Sequence, residues 1–289
     1  MWTLIRIAGL ALLVVVAVLL SGHGDWLLDA LGRAARPTGL GPLPGDAAAL
    51  TPGMVTAGLL AGLLAAMVRP VDRVMGQLVT LLHELGHTVV AASLGARPAG
   101  IVLRHDASGH ATARWLVQPG PARRLSLAAT AFVGLPAPAV AAAAGVGLLL
   151  TAGPRAVLWS LAAAGALVAL LARSLWSLVV ALVFMGAAVA GLSQAAEPWV
   201  ASAVVALLAG VAIRSATHAA NRLRRPIPAG DDARAVHRHL RLPPRLVQVA
   251  QVAATVAAAA WAGWPLVEVA APELGAVPDL GGANGTATR

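Results

Sequence analysis

Long apolar runs alternate with short polar ones over most of the chain. A helix needs roughly 20 mainly apolar residues to cross a hydrocarbon core of about 30 Å, and by that measure about eight candidate spans are present: residues 2–21, 52–68, 74–94, 125–150, 156–172, 175–192, 199–213 and 246–267. The first run carries Arg6 near its start, as a signal peptide does. No small-x-small cleavage site follows in Leu20-Ser21-Gly22-His23-Gly24, so it reads as an uncleaved anchor. Gly and Ala scattered through the spans, as around Gly145 and Gly165, suit helices that pack closely in lipid.

The polar segments differ from one another. Residues 22–50 are Gly/Pro-rich and irregular. Within residues 96–124, Gly100-Ile101-Val102-Leu103-Arg104 and Ala111-Thr112-Ala113-Arg114-Trp115 flank the turn-forming Asp106-Ala107-Ser108-Gly109, a hairpin signature. Residues 214–245 are dense in Arg and His. The tail after Glu268 is acidic, then Gly/Thr-rich, and is expected to be disordered beyond Asp279. The pattern predicts an all-α polytopic membrane protein of about 6–8 transmembrane helices, with a short β-hairpin-like segment after the helix at 74–94. It divides into N-terminal anchor spans and an irregular loop (1–73), a transmembrane core (74–267) and the acidic tail (268–289).

Composition agrees with the pattern. The chain is 58% hydrophobic and 11% charged, with a mean hydropathy of +0.79, whereas soluble domains carry about 25% charged residues. An integral, multi-pass protein of a bacterial cell membrane is expected. With no cysteine, any metal must be held by His, Asp or Glu. The net charge of +9 comes from arginines in short blocks between the spans, as in cytoplasmic loops. The lipid bilayer is therefore the expected partner of these charges, and nucleic acid is not. The Arg-rich segment 214–245 is placed in the cytoplasm, and counting back through the spans puts 96–124 on the same side. The same count leaves Arg69 and Arg73 outside, so charge does not fix the topology of the first two spans.

The third span contains His83-Glu84-Leu85-Gly86-His87. An H-E-x-x-H motif on a helix puts two imidazoles one turn apart on one face, where both can bind one zinc ion. The intervening Glu84 is then placed as general base on a metal-bound water. His87 precedes Leu94 by seven residues, which at about 1.5 Å per residue sets the metal roughly 10 Å below the cytoplasmic face. Charged groups facing lipid at mid-bilayer cost about 2.5–3.5 kcal/mol, so this face must turn to other helices or to a water-filled cavity. Thr80 and Thr88 extend it. The competing readings are a pair of hydrogen-bonded packing histidines and a metal site without catalysis.

The third ligand is sought in Pro226-Ile227-Pro228-Ala229-Gly230-Asp231-Asp232-Ala233-Arg234, on the cytoplasmic side. A carboxylate completing His₂Asp leaves one position open, a catalytic zinc arrangement. Either aspartate could instead cap a helix over 233–240, and the two roles could be split between neighbours. Helix onset at Asp232-Ala233-Arg234 favours Asp232 as the ligand. His237 and His239 form an H-x-H pair whose rings leave a helix on different faces, and they read as solvated. His105 and His110 beside the hairpin turn, and His218 in the Arg-rich segment, read as surface histidines.

Together these residues resemble the site-2 protease family of intramembrane zinc metallopeptidases, in its compact bacterial branch. The resemblance covers roughly residues 74–264 and rests on His83–His87 with Gly86, on Ala131-Phe132-Val133-Gly134-Leu135-Pro136, and on the late acidic pair Asp231-Asp232. It implies a hydrolase that cleaves peptide bonds in or near the transmembrane helix of another membrane protein, its substrate partner. It also implies zinc held by His83, His87 and Asp232, with Glu84 taking a proton from water. The hairpin over 96–115 would present an extended substrate by strand addition. Two other classes compete: a non-catalytic relative that scaffolds membrane partners, and a transporter with the motif lining an ion path. A transporter should have matching broken spans in two halves, and no such pair is visible. Substrate identity and oligomeric state have no readable signature.

Overall fold

The computed structural model describes residues 50–116 and 118–271; the anchor run at 2–21, most of the irregular loop and the tail beyond 271 lie outside the described residues. Helix α1 (Pro52–Met67) starts at Thr51, whose hydroxyl accepts the Met54 N–H at 3.3 Å, with Pro52 in the first turn where no amide is needed. Val68 is extended, and α2 (Arg69–Ser93) departs at 99° to α1. Pro70 explains the break: inside a continuous helix its ring would clash with the carbonyl four residues earlier. The expected spans at 52–68 and 74–94 are thus one sharply bent pair.

Gly95, at φ 95°, ends α2 and leads into β1 (Ala96–Leu103), which pairs antiparallel with β2 (Gly109–Trp115). Ala96 faces Trp115 and Leu103 faces Gly109, so the hairpin expected from the alternation is present. Its turn is held by Asp106, whose carboxylate accepts the N–H and hydroxyl of Ser108 at 3.0 and 2.6 Å. The outer edge of β1 is occupied. Arg173 N–H donates to the Ile101 carbonyl (2.9 Å), and Leu103 N–H donates to Ser177 Oγ (2.7 Å). No strand pairs with the outer edge of β2 among the described residues.

The remaining helices are α3 (Pro121–Val133), α4 (Ala137–Leu171), α5 (Leu175–Leu192), α6 (Pro198–Leu223), α7 (Asp232–Leu240) and α8 (Pro244–Ala270). The apolar run 125–150 is not one span, because α3 stops at Val133 and α4 begins after Gly134-Leu135-Pro136. Buried Gln251 of α8 sustains the break by donating to the Ala131 and Phe132 carbonyls at 3.3 and 3.0 Å, which have no intrahelical partner. Within α4, Gly153 is non-helical at φ 79° and ψ 178°, just before Pro154. Ala137, at the start of α4, packs on Gly86 of α2, while Ala172, just past its end, bridges Ile101 of β1. A straight helix of 35 residues would hold its ends about 50 Å apart, so α4 folds back at Gly153 to return to the same layer.

α4, α5, α6 and α8 are each long and apolar enough to cross a membrane, and the bent α1–α2 pair supplies a fifth candidate. Leu60, Leu64, Trp159, Leu170, Leu182 and Trp264 are exposed on the helices, a surface that suits lipid. The chain is a mostly α-helical, multi-pass integral membrane protein with one small hairpin. Its largest core cluster joins Val55 of α1, Leu78 of α2, Val146 and Leu149 of α4, Val205 of α6 and Leu266 of α8.

Candidate metal centre

Helical spacing brings His83 and His87 to one face of α2, with ring centroids 4.7 Å apart and nearly perpendicular. The two adjacent aspartates of α7 part company. Asp231 caps the helix: one carboxylate oxygen accepts the Ala233 N–H at 2.8 Å, and the other pairs with Arg222 Nη2. Asp232, in the first turn, points at the histidines. Its Oδ2 lies 3.3 Å from His83 Nε2 and 3.5 Å from His87 Nε2, and the two nitrogens are 3.1 Å apart. Burial opposes the charge of Asp232, but the hydrogen bonds and charges of His83 and His87 outweigh it and hold its carboxyl well below the usual carboxylate range.

This triangle can be tested against a metal. Tetrahedral zinc with ligand bonds of about 2.0–2.1 Å requires ligand atoms about 3.4 Å apart, close to the three distances here. His87 Nδ1 donates to the Thr130 carbonyl at 2.6 Å, which leaves its Nε2 lone pair directed at the triangle. Among the described residues this is the one group of three or more acidic or histidine side chains with metal-ligand spacing. The residues fit a zinc ion.

The chain matches the family described as Peptidase M50B-like over residues 56–263. It belongs to that family, of the site-2 protease type. No curated protein and no solved structure matches it.

Glu84 is beside the histidines and is only 4% exposed. A Cβ on Gly109 of β2 would come within 3.1 Å of the Glu84 carboxylate, so the hairpin closes over this group. The backbone of Ala111 lies beside the same carboxylate. Glu84, His83, His87 and Asp232 line a cavity of about 730 Å³ bounded by α2, the hairpin tip, α3, α6 and α7. The expectation that the polar face of α2 turns to a cavity is met, with Thr80 on its wall. Thr88 instead is buried and returns its hydroxyl to the Glu84 carbonyl at 2.7 Å.

His105, His110 and His218, read as surface histidines, are all exposed, and His110 and His218 adjoin the cavity. His218 of α6 is on the cavity wall, with Arg214 one turn before and Arg222 one turn after. Arg214 is paired with Asp72 of α2, and Arg222 with Asp231. The spacing of Arg214, Ser215, His218 and Arg222 marks one polar face of an apolar helix, and that was the available signal. His239 reaches the cavity rim, and His105 stacks on Trp176 at 4.0 Å. His237 Nδ1 donates to the Leu242 carbonyl at 2.8 Å at the C-terminus of α7.

Gly134 sits where α3 gives way to α4, against the site. A Cβ there would collide with the His87 ring and lie 2.9 Å from Asp232 Oδ2. Gly134→Ala is therefore expected to displace two of the three donor atoms and weaken zinc binding about 10- to 100-fold, as loss of an orienting partner does. Competition with a zinc indicator on purified protein checks this; wild-type affinity in the variant would refute the close approach.

Proposed function

We propose that this protein is an intramembrane zinc-dependent endopeptidase that hydrolyses peptide bonds in or near transmembrane segments of other membrane proteins. The convergence of His83, His87 and Asp232 at tetrahedral spacing, with Glu84 beside them in a cavity, carries the reading. M50 peptidases are generally zinc-dependent, which supports zinc as the ion. Zinc, when bound, supplies a Lewis acid that lowers the pKa of water and polarises a carbonyl. Glu84 accepts a proton from the attacking water and delivers it to the departing amine, so the proton count closes over the cycle. The Thr130 carbonyl and the cap at Asp231 hold His87 and α7 in place.

The hairpin supplies the substrate's backbone partner. Ile101 and Leu103 turn their backbone groups away from β2, toward Arg173 and Ser177. Their partners Ala111 and Gly109 must then turn theirs away from β1, and by alternation so must Ala113. The free edge of β2 thus offers backbone donors and acceptors along the cavity beside Glu84. An extended substrate adds there as a third strand, which unwinds its helix and exposes the scissile bond. Ala113→Pro removes an outward N–H without touching the β1 pairing. It is expected to raise KM about five-fold at unchanged zinc content, the signature of lost ground-state binding. An unchanged KM would place the substrate elsewhere.

The direct test uses purified protein in detergent with one equivalent of zinc. The probe is a single-span synthetic peptide of about 25 residues with a Gly-Pro break in its apolar segment. Products are read by mass spectrometry, before and after chelation and after return of zinc. Cleavage that follows the metal supports the reading. Zinc bound at one per chain without any cleavage of break-bearing peptides would instead favour a non-catalytic membrane scaffold.

A further inference from the structure

The hairpin tip is fastened to the metal-site helix by groups that the proposed chemistry does not use. Gln77 of α2 is 8% exposed, and both of its amide N–H donors and its carbonyl oxygen have partners. Its Nε2 donates to the Arg104 and His105 carbonyls at 3.0 and 3.3 Å, and its Oε1 accepts from Trp176 Nε1 at 3.3 Å. One turn closer to the motif, Thr80 Oγ1 donates to the Ala107 carbonyl at 2.7 Å. His105 stacks on Trp176, at the start of α5. Gln77 precedes Glu84 by two helical turns on the same side of α2, so what it fixes at the tip is carried along β2 to the point where Gly109 and Ala111 meet Glu84.

We infer that Gln77, Thr80 and Trp176 form a latch that docks the hairpin tip on α2 and so sets the register and distance of the β2 free edge relative to Glu84. The inference rests on the peptidase reading above for its consequence, and on geometry alone for the latch. These are positioning residues: none of them touches the reacting atoms. The amide is required because two carbonyls face it. A carboxylate of the same shape would offer only acceptors to Arg104 and His105, losing both hydrogen bonds and adding repulsion.

The latch can be read without activity. Arg104 is exposed, and its carbonyl, the one at the bond trypsin would cut, is bound by Gln77 Nε2 and by Ala107 N–H at 3.1 Å. Trypsin needs an opened, extended segment, so nicking after Arg104 follows the opening of the tip. In the full-length protein, Gln77→Glu is expected to raise the rate of nicking after Arg104 about ten-fold or more. With the single-span peptide above, KM should rise about five-fold while kcat and zinc per chain stay within about two-fold of wild type. Thr80→Val, which removes one tie and keeps the side-chain shape, should shift nicking and KM in the same direction by less, and it serves if Gln77→Glu does not fold. An unchanged nicking rate in both variants overturns the latch. Faster nicking with an unchanged KM overturns its role in positioning the substrate edge. A wild-type protein that cleaves no peptide sinks the peptidase reading instead, and the nicking comparison still decides the latch.

Discussion

Glu84→Gln should abolish peptide cleavage while the protein keeps one zinc per chain and its wild-type thermal stability. The substitution exchanges one carboxylate oxygen for an amide and changes the volume little, which matters because Glu84 is 4% exposed and Gly109 lies directly over it. None of the three converging donor atoms belongs to Glu84, so metal binding is untouched. In the proposed mechanism, what is lost is the base that serves both proton transfers. A positioned general base contributes about 10²–10⁴ in rate, and here one side chain both takes the proton from water and returns it to the leaving amine, so kcat should fall about 10³-fold or more. KM for the single-span peptide should change little, since the β2 edge and the cavity walls are intact. Product formation is measured by mass spectrometry, with zinc determined on the same sample. Turnover within a few-fold of wild type would remove Glu84 from the chemistry.

How much of this site could be read from the chain differs residue by residue. The pairing of His83 with His87 was legible because helical periodicity is local, and the hairpin was legible because Asp106-Ala107-Ser108-Gly109 is turn chemistry between alternating stretches. The split at Gly134-Leu135-Pro136 was not. Hydropathy is continuous across residues 125–150, and what ends α3 there is tertiary: Gln251, more than a hundred residues away, satisfies the freed carbonyls, and the His87 ring fills the space beside Gly134. The bend at Gly153 was marked by Gly-Pro, but only the meeting of Ala137 with Gly86 and of Ala172 with Ile101 makes it a reversal. His218 is exposed, as expected of a surface histidine, but the surface it faces is the cavity, which could not be read because hydropathy does not show that α6 continues to Leu223.

The adjacent aspartates allow the most demanding test, because two neighbours of identical chemistry are expected to fail in different ways. Asp232→Ala removes the oxygen that lies 3.3 and 3.5 Å from the two imidazole nitrogens. Two histidines alone hold zinc weakly, so zinc per chain should fall from about one to near zero at micromolar free metal, and cleavage should go with it. Folding should suffer less, since the Asp231 cap still starts α7. Asp231→Ala does the reverse. It deletes the oxygen that accepts the Ala233 N–H and leaves Arg222 without the carboxylate it pairs with. Losing an N-cap costs about 0.5–2 kcal/mol, and breaking a buried ion pair costs about 3–5 kcal/mol; with Arg222 able to reach the water of the cavity, a combined loss of about 2–4 kcal/mol is expected. Zinc should remain, with affinity reduced about ten-fold at most as the start of α7 loosens. Asp231→Asn separates the two terms further, since it keeps the cap and removes the charge. Zinc content and thermal unfolding of the three variants in one detergent decide the assignment. Zinc lost from Asp231→Ala and kept by Asp232→Ala would exchange the two roles.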